Sequence, residues 1–261
     1  MSQHRKLSPR MVMERFEDLS MAKLAPSALT LLGLASGATA IRFAMEANFK
    51  LAVAAVVAAM LFDMLDGRVA RKLGADTRFG AQLDSLADLV SFGVAPAVIA
   101  YTWSLSRMGE GGWVAAVIFC ICAAIRLARF NIQAARDEGA TEANPYFTGL
   151  PTPAAACVML LPLLISFQFD HGDFQNPLFA CALVAATSIL MVSRLPTPSI
   201  KYMHVQRQHR FLIALLVACI AGLMVMWPWA TLTIGLIAYL ATIPIGILAA
   251  GDLREASGPR T

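Results

Sequence analysis

The chain has 261 residues, 58% of them apolar and 15% charged, and carries a formal net charge of +4. Soluble domains run nearer roughly 45–50% apolar and about 25% charged, so the apolar excess is too large for one buried core of this length. The same numbers exclude a disordered or fibrous chain, and a charge this small gives no reason to expect a nucleic-acid partner. What remains is an integral membrane protein, because ~20 apolar residues cross a bilayer core about 30 Å thick and the length accommodates about eight such helices.

Residues 1–25 mix polar and basic side chains and lack the early apolar core and small-residue cleavage site of a leader peptide. Within them Met11, Met13, Phe16, Leu19 and Leu24 alternate with Glu14, Arg15, Glu17, Asp18 and Lys23, the pattern of a short amphipathic helix lying along the interface. The first span is expected from Pro26 to Met45, the second from Phe49 with its apolar run ending at Leu65, and the third from Asp84 to Leu105. A fourth follows from Trp113 to Ala135. Pro151 and Pro153 open a fifth that ends near Phe169, and the sixth covers Leu178 to Val192. A basic connection over 194–210 precedes two more spans, Phe211–Met226 and Trp229–Ala250, and a polar tail over 251–261 closes the chain. The fold expected is therefore an all-α, multi-pass membrane protein.

With the N-terminus in the cytoplasm, alternation of sides puts all of the 21 Lys and Arg on or near the cytoplasmic face except Arg42, Lys50 and Arg107. That asymmetry is the positive-inside bias, and it places both termini in the cytoplasm. The basic 194–210 connection reads as a contact with membrane lipids, with His204 and His209 solvated. The five cysteines, Cys120, Cys122, Cys157, Cys181 and Cys219, all fall in apolar stretches without the partners of a zinc site, and are read as small packing residues.

The second and third spans are not passive anchors. Asp63, Asp66, Asp84 and Asp88 interrupt otherwise apolar helices, and an ionised Asp at a helix centre costs about 2.5–3.5 kcal/mol on insertion scales. Asp63 and Asp66 are three apart, Asp84 and Asp88 four apart, so each pair occupies one helical face. Two antiparallel neighbours carrying such pairs can turn all four carboxylates onto one cavity, where hard oxygen ligands at that density suit two Mg²⁺ or Mn²⁺ ions. The plainer alternative is that the four acids are solvated span ends. Gly67 and Gly80 leave room beside the acids for a bulky ligand, Ala70 keeps the face open a turn later, and Arg71 offers a forked donor to a phosphate.

The run D-x2-D-G-x2-A-R-x8-G-x3-D-x3-D, from Asp63 to Asp88, resembles the signature of the CDP-alcohol phosphotransferases, with all its fixed positions present. The resemblance implies a six-helix core over 26–193 and a homodimer. It implies metal ligation by Asp63, Asp66 and Asp84, with Asp88 completing a second metal site and taking the proton of the attacking alcohol. It also implies a pocket for the CDP group lined by Gly67, Ala70, Arg71 and Gly80. Three further stretches, LDSLADLVSFGVAPA (Leu83–Ala97), RLARFN (Arg126–Asn131) and FTGLPTPAAA (Phe147–Ala156), are similar to the branch that uses L-serine. That branch passes a phosphatidyl group from CDP-diacylglycerol to serine and releases CMP. In the first span Ser27 stands where the branch commonly has Asn, while Thr30 of the same nucleotide-binding element is retained.

Arg126, Arg129 and Asn131 are candidates to receive the serine carboxylate or the lipid phosphate, against the alternative that both arginines snorkel to headgroups. Within the family, choline, glycerol 3-phosphate or an inositol could replace serine as acceptor. From a different class, intramembrane carboxylates also mark ion paths, and a divalent-cation transporter is the rival. Transporters commonly repeat such features in both halves, whereas here the acids cluster on two neighbouring spans with no matching set in 150–250.

Overall fold

The computed structural model describes residues 21–74, 77–137, 147–148, 150–168, 175–193, 196–197 and 210–241. Within them the chain is helical apart from one two-residue strand pair. The elements are α1 (Met21–Met45), α2 (Phe49–Leu73), α3 (Arg78–Asp88), a π-helical segment (Leu89–Val94), α4 (Ala95–Trp103) and a 3₁₀ turn (Leu105–Met108). Then come α5 (Glu110–Asp137), β1 (Phe147–Thr148), α6 (Thr152–Met159), α7 (Leu161–Ser166), α8 (Pro177–Val192), β2 (Pro196–Thr197), α9 (Arg210–Met226) and α10 (Pro228–Ala241). The strands pair antiparallel, Phe147 with Thr197 and Thr148 with Pro196, and tie the two loops together.

Three stretches are long and apolar enough to cross a membrane: Ala25–Met45, Phe79–Trp103 and Glu110–Gln133. The chain is an integral membrane protein, and large apolar side chains such as Leu31, Leu61, Ile118 and Ile189 lie exposed on its flanks, as a lipid-facing surface requires. Helix α2 has the length to span, but six charged residues between Lys50 and Lys72 set it apart from those three. Half of the Phe79–Trp103 stretch is buried, against 28% of either other stretch, so this helix is the centre of the bundle.

Several boundaries differ from the sequence reading. Residues 1–20, which carry most of the expected interfacial helix, lie outside the described residues, as do nearly all of the 194–210 connection and everything after 241. Met21–Ala25 form the opening of α1 and are continuous with the first span, with Pro26 inside the helix. The fifth span is two helices, interrupted at Leu160. Pro162 explains the break, since it has no N–H and its ring crowds the carbonyl four residues back.

The turn between α1 and α2 is closed by Asn48, whose side chain accepts from the Leu51 N–H, with Ala47 at a positive φ of 56°. At the other end, α2 stops at Gly74 in the left-handed conformation, whose N–H bonds to the Ala70 carbonyl, the αL ending that Gly favours. Thr77 then caps α3 by accepting from the Gly80 N–H at 3.0 Å. Helix α1 packs against both α2 and α3.

One face of α1 is buried at Pro26, Thr30, Gly33, Gly37, Ala40 and Ala44, spaced alternately by four and three. The facing stripe of α2 has the same spacing: Ala52, Val56 and Ala59, continuing to Asp63 and Asp66. Small residues in register let the two backbones approach closely. A Cβ added at Gly33 would stand 3.5 Å from Phe62 Cβ, while one at Gly37 would stand 2.4 Å from Ser91 Oγ and 2.7 Å from its Cα. The stripe that packs α2 against α1 is thus the stripe that turns Asp63 and Asp66 inward.

The π segment follows Asp88 directly, with the Ala95 N–H bonded to the Val90 carbonyl. Pro96 has no N–H to donate to the carbonyls behind it, a recognised cause of such irregularities. Ser91 and Phe92 lie on the segment's inner side, while Gly93 lies against Ala123 of α5, where an added Cβ would come within 3.2 Å.

Gly37→Ala should therefore destabilise the protein by about 1–3 kcal/mol through overpacking. Gly222→Ala, where an added Cβ meets nothing within 4 Å, should be neutral or slightly stabilising. Thermal denaturation of both variants in detergent checks the contrast.

Candidate active site

The inner faces of α1, α2 and α3 enclose a pocket with about 180 Å³ of empty space, part of it open to solvent. Its polar wall consists of Asp63, Asp66, Asp84, Asp88, Thr30 and Ser91, and its apolar wall of Gly33, Ala59, Ala87 and Phe92. The two acidic pairs therefore converge, as their spacing on two antiparallel helices led us to expect. One carboxylate oxygen each from Asp63, Asp66 and Asp84 lie within 4.8 Å of one another. Asp88 stands outside that trio, one turn further along α3, and lines the same pocket.

The trio fits a small divalent cation. Oxygen ligands about 2.1 Å from an octahedral Mg²⁺ lie roughly 3–4 Å apart, so the oxygens need close only slightly around such an ion. The donor set is all carboxylate, which suits Mg²⁺ or Mn²⁺ and not a thiolate-preferring metal.

Asp66 is the most buried of the acids, at 5% exposure. It is held by Thr30, whose hydroxyl donates to Asp66 Oδ2 at 2.7 Å and lies 3.1 Å from its own helix's Pro26 carbonyl. A carboxylate fixed by a hydroxyl from a neighbouring helix keeps its other oxygen free for a ligand. Thr30, expected from the resemblance to touch the nucleotide, thus also orients an acid. Ser91 closes the inner end of the pocket by donating to the Gly33 carbonyl at 3.2 Å.

Gly67, Ala70 and Arg71 continue along α2 beyond Asp66, and Gly80 lies in the first turn of α3; none of the four belongs to the pocket lining. The Arg71 guanidinium reaches back toward Gly67, where an added Cβ would come within 3.7 Å of it. At Gly80 a Cβ would meet the capping Thr77 hydroxyl at 3.1 Å. Both glycines therefore accommodate a neighbouring polar side chain.

The three residues of α5 fall in different places. Arg126 is half-buried, within electrostatic range of Asp88, and its Nη1 donates to Thr152 Oγ1 at 2.6 Å. Its Nε is fully buried and has no partner among the described residues. Arg129 is exposed, and its Nη1 donates to the Val192 carbonyl at the end of α8, a favourable place for a cation. Asn131 accepts from Ser85 at 3.0 Å and so ties α5 to α3 between the two acids of the second pair. Ser85, Ser91 and Thr152 were not singled out from the sequence. All three lie in stretches quoted above for their resemblance, but a hydroxyl in an apolar helix shows no partner until the fold supplies one.

The pattern of the CDP-alcohol phosphatidyltransferases matches residues 23–193, and the chain belongs to that family. A protein of Mycobacterium leprae named CDP-diacylglycerol–serine O-phosphatidyltransferase is 39% identical over 227 residues, covering 86% of this chain and 75% of the relative. Proteins of the same name from Helicobacter pylori and Bacillus subtilis are 36% and 34% identical. Those matches cover 68% and 67% of this chain, and 73% and 90% of the respective relatives.

Thr30→Val should leave the protein folded and raise the Mg²⁺ or Mn²⁺ concentration needed for half-maximal activity by roughly 10- to 100-fold, the usual effect of removing a group that orients a metal ligand. A metal titration of CMP release in detergent micelles measures it.

Proposed function

We propose that the chain transfers a phosphatidyl group from CDP-diacylglycerol to L-serine, giving phosphatidylserine and CMP. The convergence of Asp63, Asp66 and Asp84 within 4.8 Å, in a chain of this family, carries the reading. The names of relatives matched over most of their length support serine as the acceptor. Asp63, Asp66 and Asp84 would hold a divalent cation, and Asp88, on the same pocket wall, would complete the site for a second. Bound there, the metal supplies Lewis-acid polarisation of phosphoryl oxygens and neutralises charge on the departing group.

The chain's own residues carry the remaining steps. Gly67, Ala70, Arg71 and Gly80, with Thr30 behind them, receive the CDP group. Asp88 accepts the proton of the serine hydroxyl, a weak nucleophile at neutral pH that needs a base within hydrogen-bond reach. The oxygen then attacks phosphorus in line as the bond to CMP breaks, with no covalent enzyme intermediate. Arg126 holds the acceptor carboxylate. Arg126 stands within electrostatic range of Asp88, and its buried Nε has no partner among the described residues, so the hydrogen-bonding capacity of this guanidinium is not spent within the protein. Arg129 and Asn131 support the same end of the site, and both termini and the pocket mouth face the cytoplasm in an eight-span topology.

Radiolabelled CDP-diacylglycerol incubated with a panel of alcohols tests the reaction. CMP release dependent on serine is the expected result, and release driven only by choline, inositol or glycerol 3-phosphate would reassign the acceptor. Asp63→Asn, Asp66→Asn and Asp84→Asn should each abolish turnover with membrane insertion intact, and EDTA should silence the wild type until Mg²⁺ or Mn²⁺ is returned. Intersecting initial-rate plots are expected; CMP exchange into CDP-diacylglycerol without serine would contradict direct displacement. Arg126→Ala should raise the KM for serine by about 10- to 150-fold, corresponding to loss of a charge-assisted contact of roughly 1.5–3 kcal/mol, and change the KM for the lipid far less.

A further inference from the structure

Helix α3 carries two of the four acids but is lightly held. Phe79, Ala81, Gln82 and Leu86 are exposed, and Ala87 is its one buried side chain among the described residues. It packs against α1 on the side of the pocket. From α5 a polar link reaches it: Ser85 Oγ donates to Asn131 Oδ1 at 3.0 Å, across 46 positions of sequence. The same hydroxyl lies 3.0 Å from the Ala81 carbonyl of its own helix, so it would be satisfied without Asn131. The link is therefore an added connection between two helices and not the rescue of a stranded polar group.

The other end of the link is firm. Helix α5 packs along α8, Arg129 Nη1 donates to the Val192 carbonyl at the end of α8, and Arg126 Nη1 donates to Thr152 Oγ1 of α6. Each step along a helix turns the side chain by about 100°. Asp84 and Asp88 line the pocket and Ser85, next to Asp84, does not, so a bond at Ser85 fixes the rotation at which both acids face inward. Asp66 is held directly, by Thr30 from α1. Asp84, with a carboxylate oxygen within 4.8 Å of those of Asp63 and Asp66, is placed by the rotation of the helix that carries it.

We propose that Ser85 and Asn131 are positioning residues for Asp84 and Asp88: their hydrogen bond locks the rotation of α3 against α5 and keeps the second acidic pair turned toward the first. This rests on the reading of the acids as a divalent-cation site. It gives Asn131 a task distinct from receiving the acceptor, since its amide oxygen is engaged by α3. Loosening α3 weakens the hold on the cation and leaves the affinity for serine at saturating metal as it was.

The test compares Ser85→Ala, Ser85→Thr, Asn131→Ala and the Ser85→Ala/Asn131→Ala double variant in the full-length protein in detergent. Mn²⁺ binding is read by electron paramagnetic resonance without substrates, and CMP release at saturating Mn²⁺ gives the KM for serine. Each single Ala variant should raise the Mn²⁺ dissociation constant roughly three- to tenfold, as loss of one hydrogen bond does, with the serine KM within about twofold. The double variant should bind no more weakly than either single one, because both remove the same bond. Ser85→Thr, which keeps the hydroxyl, should bind as the wild type does. Wild-type Mn²⁺ affinity in both single Ala variants overturns the proposal, even where thermal stability falls, since the bond is then structural only. Additive losses in the double variant overturn it too, as does a raised serine KM in Asn131→Ala with Mn²⁺ affinity unchanged. Asp84→Asn separates the two readings. If it binds Mn²⁺ as the wild type does, the cation site fails first and the proposal falls with it. If it loses Mn²⁺ while Ser85→Ala and Asn131→Ala do not, the cation site survives and the positioning role alone is rejected.

Discussion

Four carboxylates placed among apolar helices repel one another and resist leaving water. Two unit charges 4.8 Å apart at an effective dielectric constant near 20 repel by ~3 kcal/mol, and the trio Asp63, Asp66 and Asp84 contains three such pairs at that distance or less. Nothing in an isolated helix would tolerate this. The surrounding bundle eases this at two of the four: Thr30 holds Asp66 by a hydrogen bond, and Arg126 supplies positive charge near Asp88. The remaining repulsion would favour the uptake of cations proposed for this site.

Rigidity at that point is built from small side chains. The glycines and alanines of α1 bring its backbone against α2 and the π segment, closely enough that Gly37 leaves no room for a methyl beside Ser91. Close backbones leave few alternative rotamers or helix rotations, so the acids cannot relax apart by turning their helices. The π segment serves the same end from the other side. It begins just after Asp88, and its Ser91 and Phe92 line the pocket while Gly93 faces α5.

How far the sequence could be read follows from which forces are local. The phasing of Asp63 with Asp66 and of Asp84 with Asp88 depends only on helix geometry, so each pair was legible, while their convergence also needs α1, which packs against both helices and supplies Thr30 and Gly33 to the same pocket. Helix existence was legible for the same reason, since apolar runs are local signals, but the start of α3 at Arg78, behind the cap Thr77, was not, the third span being expected only from Asp84. The break at Leu160 was missed although Pro162 marks it, because a proline within a long apolar run reads equally well as a tolerated kink. The partners of Thr30, Ser85 and Thr152 were illegible for a different reason. Each is a long-range contact, between 26 and 46 residues distant in sequence, and no periodicity within one helix encodes which neighbour a hydroxyl will meet.

The depth of the pocket joins these points to the chemistry proposed for it. Counting back from the α2–α3 turn at 1.5 Å per residue, Asp66 and Asp84 lie ~10–12 Å below the helix ends and Asp63 and Asp88 ~16 Å. The apolar stretch that holds Asp84 and Asp88 begins at Phe79, so these two acids lie in its first three turns, near one end of the helix that carries them. A lipid whose acyl chains stay in the bilayer presents its phosphate at this level, and a water-soluble amino acid can reach it from the adjoining aqueous side. Moving the acids two turns deeper would bury the charges without access to the soluble substrate. Moving them two turns outward would leave them solvated, with little reason to bind metal tightly and no contact with a lipid phosphate. A position near one end of these helices is thus what would make one pocket accessible to both substrates of the proposed reaction.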